Sequence, residues 1–146
     1  MNSYNSEQVF LGTWGEVWID DEYMAEVKKF RAEVTIDYED IGRVRNLMKG
    51  KKMVAISGEG EVSLHKVSSF MMSKISEKVK NGEVPSFTIV GNIDDPNAIG
   101  GERIALYDCK FQKVTLADWE NGSVAEESYG FTFEDWEILD EATAST

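Results

Sequence analysis

The sequence predicts a mainly β protein, an antiparallel β-sandwich or barrel with one flanking α-helix. At least six segments of the 146 residues alternate apolar and polar side chains, with the two-residue period of a half-buried strand. Only residues 68–81 have the spacing of an amphipathic helix. Strands and helices do not alternate along the chain as in βαβ folds, so the sheet is expected to be antiparallel. The length predicts one domain over residues 1–146.

The first third of the chain predicts an arm, two strands and a loop. Residues 1–12 are polar and are expected to form an extended N-terminal arm. Strands are expected over residues 13–19 and 23–39, the second with Phe30, Ala32, Val34, Ile36 and Tyr38 at alternate positions. Residues 40–53 are basic, contain two glycines and lose this alternation. They therefore predict a long surface loop.

The rest of the chain predicts more strands around the helix. Alternation returns over residues 54–64, where Gly58 and Gly60 on the apolar face indicate a bend, a bulge or a close backbone approach. The helix over residues 68–81 carries Met71, Met72, Ile75 and Val79 on one face. Strands follow over residues 86–93 and 103–116. The last strand changes phase after Phe133, which predicts a bulge at Glu134–Asp135, and residues 140–146 are expected to fray.

Charge is distributed unevenly along the chain. The formal net charge is −12, and all fifteen Lys and Arg residues lie between Lys28 and Lys113. Solvated faces are the simpler interpretation. The alternative is two unlike surfaces that meet between neighbouring subunits, a head-to-tail contact that closes into rings or propagates. The basic candidates are Arg43, Arg45, Lys49, Lys51 and Lys52, and the acidic counter-surface candidates are Glu126, Glu127, Glu134, Asp135 and Glu137.

The sequence gives little support for a catalytic function. His65 is the only histidine and Cys109 the only cysteine, and no motif predicts a catalytic group, a metal site or a cofactor. The acidic balance argues against specific nucleic-acid binding. No apolar run is long enough to insert into a membrane, and the N-terminus lacks a signal-peptide pattern. Because a single cysteine cannot form an internal disulfide, synthesis in a reducing cytoplasm is expected.

Several blocks in a fixed order resemble a known family. They are Gly15–Asp20, Met24–Lys28, Gly58–Val67, Phe87–Asp95, Glu102–Asp108 and Phe131–Trp136. Their order and spacing are similar to the tail tube proteins of contractile phage tails, in the group of PBSX-like prophages and R-type bacteriocins. The resemblance implies hexameric rings that stack into a hollow tube with a continuous inner β-barrel. It also implies that the basic loop is an inter-subunit loop.

The same resemblance implies the partners and the final location. The subunit would contact other copies of itself, a surrounding sheath protein, baseplate or initiator proteins and a tail terminator. Glu59 and Glu61 are candidates for an acidic lumen wall. The protein would end in a virion tail or in an extracellular bacteriocin particle, and the sequence leaves the choice between them open.

Two other functions are compatible with the sequence. A monomeric β-barrel could bind a ligand through exposed aromatic residues such as Trp14, Trp18 and Trp119. A cysteine-dependent hydrolase would use Cys109 as nucleophile and His65 as base. A size that depends on concentration would argue against the first, and activity that survives removal of Cys109 would argue against the second.

Overall fold

The computed structural model describes residues 6, 12, 15–25, 27–65, 69–94, 96 and 100–140. This part of the chain forms eight strands and one helix. In chain order they are β1 Gly15–Ile19, β2 Glu22–Tyr23, β3 Val27–Arg43, β4 Asn46–His65, α1 Phe70–Lys80, β5 Ser86–Ile93, β6 Glu102–Phe111, β7 Glu126–Phe133 and β8 Asp135–Asp140. Most of the predicted arm (1–12), Trp14 and the tail beyond Asp140 lie outside the described residues.

All eight strands belong to one antiparallel sheet. The strand order is β2-β1-β5-β6-β7-β4-β3, and β8 also pairs with β6. The sheet curls, because the Phe30 ring of β3 stands directly over Gly91 of β5, which is not its neighbour in the sheet. The concave face holds the core, to which α1 contributes Met71 and Ile75. The predicted fold class is confirmed.

The helix lies within its predicted range. It runs from Phe70 to Lys80, and Ser69 occupies the N-cap position without a side-chain capping bond. Ser68 lies outside the described residues. Met71 and Ile75 are buried as their spacing predicts, whereas Val79 is 51% exposed and does not share the buried face.

Gly58 and Gly60 of β4 mark a close approach, as the sequence indicates. A Cβ atom on Gly58 would lie 2.6 Å from Cδ2 of Phe133, and one on Gly60 would collide with the Phe131 ring and the Arg31 carbonyl oxygen. The missing side chains let β4 sit against the β7 aromatic residues. Phe131 in turn contacts Phe30, Phe111 and Phe133, with ring centroids 5.9–6.4 Å apart.

The prediction of a loop over residues 40–53 is wrong. This segment is the end of a long hairpin, in which β3 pairs with β4 from Val27 opposite Leu64 to Arg43 opposite Asn46. The two-residue turn places Arg45 at φ 60°. Alternation is lost in the sequence because the register shifts between Asp37 and Tyr38, and because both faces of the ribbon are solvated. Neither face then needs to be apolar, so the period of two disappears.

The change of phase after Phe133 marks an interruption between two strands, and not the bulge at Glu134–Asp135 that the sequence predicts. β7 ends at Phe133, β8 begins at Asp135, and the Glu134 N–H donates to the Tyr107 carbonyl oxygen over 3.2 Å. Asp108 of β6 has φ 53°, so both strands are irregular at this point. Beyond the break β8 follows β6, while β4 continues into the hairpin. The sheet therefore forks where Phe133 pairs with Gly58.

Candidate assembly surfaces

The distal half of the hairpin projects away from the core. We call residues 35–57 the distal hairpin. Every residue in it is exposed except Gly50, which is partly exposed. Nine of its large apolar side chains are at least 43% exposed: Ile36, Tyr38, Ile41, Val44, Leu47, Met48, Met53, Val54 and Ile56. An isolated chain in water gains nothing from exposing them.

An isolated ribbon of this kind is not self-supporting. Two-stranded hairpins need a third strand or a packed face for independent stability. The core face of β3 and β4 nevertheless continues into the distal hairpin, where Ile36 pairs with Ile56 and Tyr38 with Met53. β7, the other neighbour of β4 in the sheet, ends at Phe133, opposite Gly58. The apolar positions of β3 and β4 therefore continue beyond the part of the sheet that β7 completes, as expected of a surface completed by another molecule.

The five basic candidates come together at the hairpin end. We call residues 41–52 the tip, which contains five bases and no acid. The turn and the adjoining strand ends hold Arg43, Arg45, Lys49, Lys51 and Lys52. Lys51 forms an ion pair with Asp40 across the hairpin. The Arg43 guanidinium lies over Gly50, where a Cβ atom would be 3.1 Å from its Nε.

The acidic candidates do not form one surface. The prediction that Glu127 lies on the surface is wrong. Its side chain is only 4% exposed, and its Oε2 accepts a hydrogen bond from the Tyr129 hydroxyl over 2.9 Å. Burial and this carboxylate raise the pKa of Tyr129. Glu126 lies at the start of β7, about 25 Å along the strand from Glu134. It forms an ion pair with Lys28 at 2.7 Å, which lowers the pKa of Glu126.

The remaining acidic candidates cluster at the fork. Glu134 forms an ion pair with Lys110 at 2.7 Å, and Glu137 accepts a hydrogen bond from the Tyr107 hydroxyl over 2.8 Å. The bond to Glu137 raises the pKa of Tyr107. Asp135 begins β8, whose six residues are all exposed. β8 therefore presents an acidic and partly apolar strand on the surface.

The polar face of the hairpin holds the two lumen candidates. Glu59 is exposed and pairs across the strands with Glu33, while Glu61 is half-buried and pairs with Arg31. Arg31 forms an ion pair with Glu33 and lies 3.9 Å from Glu61. Like charges directly opposite each other in a sheet are destabilising. Arg31 offsets part of the repulsion, and the face stays acidic.

The cysteine–histidine pair is not assembled. Cys109 is fully buried, and burial raises the pKa of its thiol from 9.0 to about 12. Its Sγ donates to the Leu106 carbonyl oxygen over 3.5 Å. His65 lies exposed at the end of β4, opposite Glu126. A thiol that is both buried and protonated is a poor nucleophile, so this geometry does not support the hydrolase alternative.

We predict that Cys109 reacts with a thiol reagent at pH 8 at least about 100-fold more slowly in the folded protein than in denaturant, because reaction requires opening of the core. A Ser123→Cys variant supplies an exposed thiol as a control. The raised pKa also means that the stability contribution of the thiol is present below pH 9 and is lost as the pH rises towards 12. Fast labelling of native Cys109 would restore the nucleophile hypothesis.

One cleft could serve the ligand-binding alternative. It has a volume of about 470 Å³ and lies where β3 approaches β1 and β5, lined by Val17, Phe30, Ala32 and Gly91 among others. Neither Trp18 nor Trp119 lines it. Trp18 packs against Tyr23 and under Arg103, and Trp119 is 80% exposed in the loop between β6 and β7. In the described residues no group of three or more His, Cys, Asp or Glu is placed to hold a metal ion.

A curled antiparallel sheet that exposes a long, partly apolar hairpin is typical of a structural subunit. The chain belongs to the phage tail tube protein family, whose model matches residues 2–140. It is 32% identical over 135 residues to the phage-like element PBSX protein XkdM of Bacillus subtilis (strain 168), a match that covers 91% of this chain and 92% of that protein. The resemblance inferred from the residue blocks is confirmed.

Solved structures show the same fold at low sequence identity. The sheath/tube terminator of an extracellular contractile injection system, PVC, in its extended state, matches with a TM-score of 0.74 at 8% identity. That match covers 93% of this chain and all of the other. A chain of the PVC sheath-tube complex in the extended state matches with a TM-score of 0.69 at 10% identity, covering 97% of this chain and all of the other.

The described part of the chain contains no helix that is both long and apolar enough to span a membrane.

Proposed function

We propose that the chain is the subunit of a hollow tail tube, in which hexameric rings stack head to tail inside a contractile sheath. The distal hairpin carries the proposal. It exposes nine large apolar side chains on a ribbon that cannot support itself. Contact with a neighbouring subunit would bury them and supply the missing layer. Membership of the phage tail tube family and the fold shared with a sheath-tube complex both support this function.

The open strand edges favour a sheet that continues between subunits. The outer edge of β3 is the end of the sheet over seventeen residues. A long open edge is an aggregation risk in a monomer and an interface in an assembly. If these edges pair around a ring, the hairpins form an inner β-barrel. The face with Glu33, Glu59 and Glu61 would then line an acidic lumen that repels nucleic acid rather than gripping it.

A sheath/tube terminator is the second candidate. The solved terminator matches this chain with a TM-score of 0.74, against 0.69 for the sheath-tube chain. Both matches reflect fold alone. The two functions differ in one physical property, since tube subunits propagate along the axis and a terminator closes a single ring on the end of an existing tube.

The proposed partners follow from a place inside a contractile tail. Besides other copies of the chain, the tube would contact a sheath protein on its outer surface, a baseplate or initiator complex at one end and a terminator at the other. Synthesis in the bacterial cytoplasm would end in a phage virion tail or a bacteriocin particle. Neither role requires a cofactor or catalysis.

Negative-stain electron microscopy of the purified protein over a concentration series tests this function, with light scattering on the same samples. A tube subunit gives rings and tubes of uniform diameter, and their length grows with concentration. Rings that never elongate, but that cap tubes of a related particle, would identify a terminator. A monomer at every concentration that also fails to join tubes seeded by a native baseplate would overturn the tube function and favour the ligand-binding module.

A further inference from the structure

β8 has a free strand edge. One side of it pairs with β6, and no strand in the described part of the chain pairs with the other side. Natural edge strands are commonly protected by charged side chains, especially lysine, or by proline, a bulge or a covering loop. β8 contains neither lysine nor proline, its three charges are all acidic, and Trp136, Ile138 and Leu139 are 40–53% exposed. Such an edge repels another acidic strand but is open to a basic one.

The charges of β8 complement those of the hairpin tip. β8 contains three acids and no base within six residues, Asp135, Glu137 and Asp140. The tip contains five bases and no acid within twelve. Complementary charges of this kind suppress wrong pairings and fix the register of a contact. Both segments also carry exposed apolar side chains, with Val44, Leu47 and Met48 of the tip 77–103% exposed.

The two segments of one chain do not meet. β4 pairs with β7 only over residues 58–65, and Asn46–Ser57 extends about 40 Å beyond that pairing. β8 departs from β4 at Glu134 and follows β6 instead. No pairing joins the tip to β8 of the same chain in the described residues. Two unlike surfaces on every identical copy make a head-to-tail contact, which closes into a ring or repeats along an assembly.

We infer that β8 of a second copy is the acceptor of the hairpin tip. The inference rests on the tube function proposed above and names the surface that function requires. The incoming strand adds to the free edge of β8, where backbone hydrogen bonds supply affinity and the alternating acidic and apolar side chains supply register. Of the acidic counter-surface candidates, Asp135 and Glu137 belong to this acceptor and Asp140 joins them. Glu126 and Glu127 do not.

Charge reversal on each side tests the assignment. The first variant carries Asp135→Lys, Glu137→Lys and Asp140→Lys, and the second carries Lys49→Glu, Lys51→Glu and Lys52→Glu. We expect each alone to raise the protein concentration needed for assembly at least about tenfold, because like charges then face each other. The variant with all six changes should assemble within about threefold of the wild type, because complementarity returns. The control is Glu83→Lys, Asp118→Lys and Glu120→Lys, the same charge change at exposed positions elsewhere, which should assemble like the wild type.

A cross-linking experiment covers the case in which a reversed chain does not fold. Chains with Leu47→Cys are mixed with chains with Leu139→Cys, assembled and oxidised. A disulfide-linked dimer that forms only in the assembled sample supports the contact. Tubes assembled from the two cysteine variants without that cross-link would overturn the β8 assignment and leave the tube function intact. So would a variant with all six charge changes that folds but does not regain assembly. Wild-type protein that never assembles, even when seeded, would contradict the tube function itself.

Discussion

Removal of the hairpin end should abolish assembly and leave the subunit folded. The variant deletes Asp40 to Lys51 and joins Glu39 to Lys52, which are opposite each other, through an Asn-Gly turn. The deleted residues make no contribution to the described core, so the free energy of unfolding should change by no more than about 1 kcal/mol. Tubes and rings should be lost, because the tip is the proposed contact with the next subunit. Electron microscopy and urea unfolding measure the two effects.

The control for this deletion removes exposed apolar surface elsewhere. Val84 and Val124 are 65% and 75% exposed and lie outside the hairpin. The Val84→Ser and Val124→Ser double variant should assemble like the wild type. If the shortened chain still formed tubes, the hairpin would not be an interface. If the shortened chain unfolded, the hairpin would be needed to stabilise the core, which would contradict the expectation drawn from the exposure of its residues.

The strands and the helix could be predicted because the core imposes their periods. β3 near Phe30, β4 near Val62 and the helix around Ile75 bury one face each, and that face must be apolar at a fixed spacing. The break at Glu134 was visible for the same reason, since the apolar positions change phase where the strand changes partner. Gly58 and Gly60 showed the close approach but not the Phe131 and Phe133 rings that cause it.

The distal hairpin could not be predicted because the isolated subunit imposes no period there. Its alternation is broken by the register shift at Asp37 and Tyr38 and by the absence of a buried face. The positive net charge of the tip could be read from the sequence and made these residues a candidate interface, but the loop predicted for them is the wrong local structure. Glu127 was assigned to the surface from charge alone. Charge does not report burial, and this carboxylate is held inside by the Tyr129 hydroxyl.

Replacement of Gly60 by alanine should cause the largest loss of stability from a single methyl group in this chain. The added Cβ would collide with the Phe131 ring and with the backbone carbonyl oxygen of Arg31. Overpacking a core typically costs about 1–3 kcal/mol, and we expect Gly60→Ala to lie at the upper end of that range. The ring is packed against Phe30, Phe111 and Phe133, and the carbonyl can move only with β3. Urea unfolding of the variant and the wild type measures the difference.

Variants at Gly42 and Gly58 show how much of the stability loss at Gly60 comes from the clash with the backbone and how much from the clash with the ring. Gly42 has no atom within 4 Å of its would-be Cβ, so Gly42→Ala should leave stability within about 1 kcal/mol of the wild type or raise it. At Gly58 the three nearest atoms all belong to the Phe133 ring, so adding Phe133→Leu to Gly58→Ala should recover part of the loss. Adding Phe131→Leu to Gly60→Ala should recover little, because the Arg31 carbonyl remains. Full recovery there would mean that the ring, and not the backbone of β3, requires glycine at this position.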